Sequence, residues 1–354
     1  PITNATIARE FRTLVDEYAE LTGCSDSPTD LQCHDFSMRG LSFVEDAVFS
    51  SLGHMTYFNG TDSMPVKQAL KYFYDADPMT GVTVPATEHS VMCMGSKDKE
   101  IDTFERLLKL YPSGIVSIVS DTWDFWKVLT SYTVLLKELI ESREDIVDEE
   151  GNVLVPGRTV FRPDSGDPVK ILTGYKPSEY LESGDSYYCR KTGKELAEHE
   201  IKGAVEVLYD IFGGNETENG FKVLNSSVGL IYGDSITLHR CEAIMARLAA
   251  KGFASCNVVF GIGSYTYQYN TRDTLGIAFK ATAGTRGGEH VELFKDPKTD
   301  SGTKKSAKGY LKVIDGELYD QQPNDDGGGL EVIFKNGKMV RKTSWNDVRM
   351  RAML

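Results

Sequence analysis

The residues able to do chemistry collect in short polar clusters, each following a run of apolar residues. In chain order they are His34-Asp35-Phe36 with Arg39, Asn59-Gly60-Thr61-Asp62, Glu88-His89, Ser120-Asp121, Arg162-Pro163-Asp164-Ser165-Gly166, Gly233-Asp234, Gly261-Ile262-Gly263-Ser264 and Lys280. A histidine with carboxylates at hand exchanges protons or orients a ligand, and His89 has Glu88 beside it and Asp121 one apolar run away. Guanidinium and ammonium groups hold phosphate oxygens; Arg39, Arg162, Arg272, Lys280, Lys295 and the Lys304–Lys305 pair are the candidates. Glycines at 261 and 263 would let backbone N–H groups approach a phosphate closely. No HExxH or similar ligand spacing points to zinc, and Gly263 runs into Ser264-Tyr265-Thr266 without the last glycine of a dinucleotide fingerprint. Polar residues cap helices in any α/β protein, so no single cluster carries weight. Their recurrence after one run after another points to one shared site.

For the clusters to meet, the runs before them must be parallel strands. Apolar or β-branched runs lie near 2–7, 31–36, 54–58, 81–86, 114–120, 158–162, 228–233, 257–261 and 275–282. Between them Phe104, Leu107, Leu108 and Tyr111 repeat at helical spacing, as do Cys241, Ile244, Met245 and Leu248. Pro112 stops the first of these helices, and Gly252 follows the second where a left-handed cap is expected. This alternation predicts an α/β fold: a TIM-like barrel, incomplete or irregular, over residues 1–285, with the clusters at its C-terminal rim. Residues 163–227 interrupt the rhythm with a turn-rich excursion. Residues 286–354 read as a smaller α+β region, and FKNGKMV (334–340) carries an Asn-Gly hairpin turn.

The 354 residues hold 39 Lys and Arg against 52 Asp and Glu, a net charge of −13. At about 150 residues per domain, the length allows about two domains. No run of about 18 apolar residues is present, so no membrane span is expected. The acidic balance argues against nucleic acid as a partner. A small anionic substrate would need its cations gathered locally. The six cysteines are scattered without a CxxC, which fits a reducing cytoplasm.

In this order the motifs HDFSMRG (34–40), FNGTD (58–62), VPATEHS (84–90), VSDTWD (119–124), FRPDSGDP (161–168), GDS (233–235) and FGIGS (260–264) resemble the nicotinamide phosphoribosyltransferases of the type II phosphoribosyltransferase family. TRD (271–273), FKDP (294–297) and FKNGK (334–338) extend the resemblance over nearly the whole chain. It implies that nicotinamide displaces pyrophosphate from phosphoribosyl pyrophosphate, giving nicotinamide mononucleotide for NAD salvage, with inversion at the anomeric carbon. Phe36 would stack on the pyridine ring, and Asp62 would accept a hydrogen bond from the carboxamide while repelling nicotinate. Thr83, Val84 and Ser117 would line the tunnel by which nicotinamide enters. Arg39 and Arg162 would hold phosphate oxygens, with Arg272, Lys280, Lys295 and Lys304 as further cations. Asp164 would stabilise the developing cationic ribose, Gly233 and Asp234 would touch the ribose, and Gly263 and Ser264 would hold the 5′-phosphate. His89, with Glu88 and Asp121 as acidic neighbours, matches the histidine phosphorylated when ATP hydrolysis is coupled to synthesis. Mg2+ would be bound mainly through the diphosphate, near Asp121 and Asp164, with no dedicated protein cage.

The resemblance also implies a head-to-tail homodimer whose second subunit closes the site with a tyrosine from a long N-terminal region. That region is absent here, so residues 294–354 would lack its packing. Ser37-Met38 stand in place of the usual Gly-Tyr, Ser264 replaces a glycine, and the insertion around 170–200 is unusual. Two alternatives stay open: a ribosyl pyrophosphate donor with an extended 5′ group, and a homologue that binds without turnover.

Overall fold

The computed structural model describes residues 1–269, 274, 279–299, 306–322 and 326–353. Six short strands make the central sheet: β1 (Cys33–Asp35), β2 (Gly60–Thr61), β3 (Ile115–Val119), β4 (Arg158–Arg162), β5 (Val228–Tyr232) and β6 (Val258–Ile262). All pair in parallel, in the order β2-β1-β6-β5-β4-β3. A parallel sheet is covered on both faces, so its strands read as apolar runs rather than as an alternation. In β5, accordingly, Val228, Leu230, Ile231 and Tyr232 are all buried. Residues 82–86 join the two edges: Gly60 bridges Val82 and Ala86 bridges Ser117. Thr61 N–H donates to the Val82 carbonyl at 3.0 Å, and Ser117 N–H donates to that of Pro85 at 2.9 Å. An irregular stretch therefore closes the ring, and the fold is an irregular, incomplete α/β barrel.

The helices at Glu100–Leu110 and Leu238–Ala250 lie where the apolar spacing predicts, and Gly252 caps the second at φ +77°. Three expected strands are corrected, the run at 81–86 being the irregular stretch just described, and the run at 275–282 lies partly outside the described residues. The run at 2–7 opens the helix Ile2–Leu21, whose buried residues Asn4, Ala8, Phe11, Val15 and Ala19 recur at helical spacing. Over that longer window the helical stripe outweighs the local β-branched content. The run at 54–58 begins at the end of the helix Val44–His54, and the strand follows it, at Gly60–Thr61. In the excursion, Tyr180–Ser183, Ser186–Cys189 and Glu195–Leu196 form a three-stranded antiparallel sheet. Glu179, just before it, receives both guanidinium nitrogens of Arg247, at 2.6 and 3.0 Å, which ties the excursion to the helix Leu238–Ala250.

The chain forms two compact units. The first comprises residues 1–279 with 295–305, and the second residues 280–294 with 306–354. In the second, antiparallel hairpins pair Ala283–Arg286 with Glu289–Glu292, Tyr310–Ile314 with Glu317–Gln322, and Phe334–Lys335 with Lys338–Met339. The last turns through Asn336 and Gly337, both at positive φ, as an Asn-Gly hairpin demands. Among the described residues no helix is long and apolar enough to cross a membrane.

One buried acid stands at the start of the helix Glu100–Leu110. Glu100 is 2 % exposed, and burial pushes its carboxyl up to about 7, against the pull of a hydrogen bond from Tyr132. A carboxyl whose folded value is raised keeps a proton that the unfolded chain has lost. Its ionisation therefore removes stability as pH rises from about 4.5 through 7. Glu100→Gln should match the parent in urea unfolding at pH 4.5 and exceed it at pH 8 by up to about 3 kcal/mol. Equal stability at both values would show that the carboxyl ionises at no cost.

Candidate active site

Alternation along β1 decides which of its side chains reach the rim. Asp35 turns into the helix layer and is fully buried. Its Oδ2 accepts from the hydroxyls of Ser51 (2.5 Å) and Thr61 (3.1 Å), and its Oδ1 accepts from the Ser37 N–H at 2.9 Å. Burial opposes the charge, but the hydrogen bonds from Ser37 and Ser51 help hold the carboxyl below its usual range. Close by, His54 bonds the Tyr267 hydroxyl at 2.6 Å, and burial lowers its pKa to about 4, so its ring is neutral at pH 7.

His34 and Phe36 take the other side, their rings 5.1 Å apart. The Phe36 ring lies across the backbone of β5 and β6. A methyl group added at Gly261 would stand 2.4 Å from the ring, and one at Gly233 would stand 2.9 Å from it. Glycine at these two positions is what lets an aromatic platform settle on the strand ends. Beside it, Asp62 Oδ1 bonds His34 Nε2 at 2.9 Å and accepts from the Thr83 hydroxyl at 2.6 Å. Burial raises the Asp62 pKa, but these two partners outweigh it, so the carboxyl is held below its usual range. No described residue hydrogen-bonds Asp62 Oδ2, which is left to a ligand's donor.

A second cluster stands at the ends of β3 and β4. His89 Nε2 bonds Asp121 Oδ1 at 3.1 Å, and Asp121 Oδ2 accepts from the Asp164 N–H at 3.0 Å. Asp121 is 1 % exposed; burial works against its charge, and the bond to His89 outweighs it. Arg162 is buried, donates to the Thr87 carbonyl at 2.5 Å and lies 3.8 Å from Glu88 Oε1. Among the described residues its Nε has no partner. The two clusters meet over Gly233, where an added methyl group would be 3.3 Å from Asp164 Oδ1 as well as against Phe36.

Thus Phe36, Asp62, Thr83, Gly233, His89, Asp121, Arg162, Asp164 and Glu88 come together. Val84 lies in the closing stretch, while Ser117 is buried in β3 with its backbone spent on Pro85 and Thr87. Arg39 is exposed on the turn Met38–Gly40. Asp234 accepts from the Ser235 hydroxyl at 3.3 Å. Ser235 has a left-handed φ of +56°, and its carbonyl accepts from Arg240 at 2.7 Å. Gly263 precedes the short helix Ser264–Gln268, and a methyl group added there would meet nothing within 4 Å. Just past Lys295, Asp296 N–H donates to the Thr122 carbonyl at 3.2 Å, Lys298 N–H donates to that of Trp123 at 2.9 Å, and Thr299 bonds Ser165. That stretch therefore runs along the same rim. Lys280 begins the second unit, and Arg272 and Lys304 lie outside the described residues.

Sequence reasoning grouped Asp35 with the rim and overlooked Thr87. Ser37, placed two residues on to donate its N–H, was the available sign for Asp35; nothing local marks Thr87 as the arginine's acceptor. Among the described residues no three His, Cys, Asp or Glu side chains converge in a metal-binding group.

The ring platform, the buried arginine and the carboxylate-held histidine thus share the C-terminal rim, where α/β barrels hold their ligands. Residues 31–336 match the nicotinate phosphoribosyltransferase (NAPRTase) family, and the chain belongs to it. It is 50 % identical over 356 residues to a nicotinamide phosphoribosyltransferase of Acinetobacter baylyi, covering 99 % of this chain and 66 % of that one. The namesake of Mycoplasma pneumoniae is 34 % identical over 307 residues, covering 87 % of this chain and 59 % of its own. That of Xanthomonas campestris is 28 % identical over 370 residues, covering 99 % and 69 %. The chain thus spans about two thirds, or less, of the length of the first two of these relatives.

The glycine platform yields a paired test. Gly261→Ala should lower unfolding free energy by about 1–3 kcal/mol, because the new methyl overpacks against Phe36. Gly263→Ala should stay within about 0.5 kcal/mol of the parent. Equal midpoints for the two in urea would mean that Phe36 yields without cost.

Proposed function

We propose that this chain carries the site of a nicotinamide phosphoribosyltransferase, in which nicotinamide displaces pyrophosphate from phosphoribosyl pyrophosphate to give nicotinamide mononucleotide. The observation that carries this reading is Asp62, an ionised carboxylate held by His34 and Thr83 next to the Phe36 ring. A pyridine ring on Phe36 would turn its amide N–H toward Asp62 Oδ2, whereas the carboxylate of nicotinate would meet a like charge. This supports the amide, the substrate in the relatives' names, over the acid in the family's name.

The other roles follow from charge. Arg162, with Arg39, Lys295 and the matching cations Arg272 and Lys304, would neutralise the pyrophosphate as it leaves. Asp164 would face the positive charge that grows on the ribose, with Gly233 and Asp234 toward its hydroxyls. Gly263 and Ser264 would take the 5′-phosphate, since a methyl group at Gly263 would meet no described atom within 4 Å. Thr83, Val84 and Ser117 would border the entry path. His89 Nε2 is spent on Asp121, so Nδ1 is the nitrogen left to accept a phosphoryl group from ATP, with Glu88 close by. Mg2+ would be carried mainly by the diphosphate, and when bound it would offset the leaving group's charge. A second copy of the chain would cover the open face of the half-buried Phe36, making the enzyme a homodimer. We place it in the cytoplasm, where its thiols stay reduced.

The test supplies the purified chain with nicotinamide, phosphoribosyl pyrophosphate and Mg2+, with and without ATP, and weighs the product by mass spectrometry. A parallel arm offers donors with an extended 5′ group. Ligand binding without any product would favour the non-catalytic alternative. Asp62→Asn should cut nicotinamide use about 10- to 100-fold, the worth of a charge-assisted hydrogen bond. It should also raise the use of nicotinate relative to nicotinamide. An unchanged ratio would remove Asp62 from the recognition of the amide.

A further inference from the structure

At the opposite end of the barrel from the site, two cysteines far apart in sequence share one small packed cluster. Cys24 follows the helix Ile2–Leu21, and Cys256 lies in the turn Ser255–Asn257 that enters β6. Cys256 packs against the small buried cluster that Cys24 forms with Ala19 and Ala254. The pocket is partly polar: Cys24 Sγ lies 3.3 Å from the Thr22 hydroxyl and 3.5 Å from that of Ser255, the residue before Cys256. Backbone bonds fix both sides, from Cys24 N–H to the Ala19 carbonyl at 2.8 Å and from Ser255 N–H to Thr22 Oγ1 at 3.2 Å. Cys256 is half-buried, which leaves a route for a small reagent, while Cys24 lies just beneath at 6 % exposed.

Of the other cysteines, Cys189 too has its thiol lowered, chiefly by a hydrogen bond at Thr192. Cys33 and Cys241 are also near neighbours, but both are fully buried and burial holds both thiols protonated, hence unreactive. At Cys24 hydrogen bonding within this pocket, including that of Ser255 and Thr22, outweighs burial and lowers the thiol. The nearby Cys24 and burial raise Cys256.

We propose that Cys24 and Cys256 form a reversible redox pair that a peroxide closes into a disulfide, clipping the end of the N-terminal helix to the turn that enters β6. The Cys24 thiolate attacks one peroxide oxygen and the O–O bond breaks. Cys24 becomes a sulfenic acid, and the departing oxygen leaves as water after taking up a proton. The Cys256 sulfur then attacks that of Cys24, the S–O bond breaks, and the hydroxyl leaves as a second water with the Cys256 proton. Two thiols lose two electrons and the peroxide gains them. Thiol exchange with a dithiol reductant reverses the bond. Since β6 separates the pair from the rim by roughly 15 Å, the clip acts on the barrel's stability and is independent of the reaction proposed above.

The experiment treats the full chain with hydrogen peroxide, alkylates the remaining thiols and maps non-reduced peptides by mass spectrometry. A cross-linked Cys24–Cys256 peptide is expected, lost on adding dithiothreitol, with Cys33, Cys93, Cys189 and Cys241 alkylated only after unfolding. Oxidation should raise the thermal midpoint of the parent but not of Cys256→Ser, in which Cys24 should accumulate as a sulfenic acid that dimedone traps. If Cys256→Ser does not fold, the parent's peptide map decides alone. Both thiols still free in the folded chain after peroxide, or a first disulfide between other cysteines, would overturn the proposal.

Discussion

A carboxylate with no exposure to water is the constraint on which the site rests. Burying the charge of Asp35 would cost several kcal/mol if it were unpaired. The chain meets that cost only by holding Ser37, Ser51 and Thr61 at fixed positions around it. Those residues belong to the turn after β1, the helix Val44–His54 and β2. Satisfying one side chain therefore sets the spacing of three elements. Because neighbours on a strand point to opposite faces, holding Asp35 in the helix layer commits His34 and Phe36 to the rim.

The other half of the site depends on backbone where a strand is missing. Residues 82–86 bond β2 on one side and β3 on the other, and they deliver functional groups at both ends. Thr83 reaches Asp62, while the continuation at Thr87 takes the Arg162 guanidinium and leads directly to Glu88 and His89. A regular strand would hold its residues to strict alternation; the irregular stretch brings a ring-side hydroxyl and a phosphate-side histidine to one rim within a few residues. The net charge of −13 thus coexists with a cationic side chain held at the rim. The acidity is spread over the surface, whereas Arg162 is buried where its field is least screened.

Much of this was legible in the residues. The helices Glu100–Leu110 and Leu238–Ala250 carry apolar stripes that need no tertiary information, and Asn336-Gly337 specifies its hairpin through backbone angles alone. The rim clusters were visible because parallel strands place their polar residues at one end. The first helix was misread at residues 2–7, where β-branched side chains dominate a short window, and the stripe appears only over its full length. β2 was displaced because it is two residues long and leaves no periodicity to read.

By itself the sequence determined which residues are present at each strand end, and with them the charges and the glycines that a ring platform requires. It could not say which groups would be spent on one another. Tertiary structure alone decided that Asp35 is a buried strut rather than a ligand contact, that Asp121 divides its oxygens between His89 and Asp164, and that Phe36 lies on Gly233 and Gly261. The reason is physical: a propensity or a periodicity belongs to a residue and its neighbours in the chain. Hydrogen bonds and close approaches between residues far apart in sequence exist only once the barrel has closed.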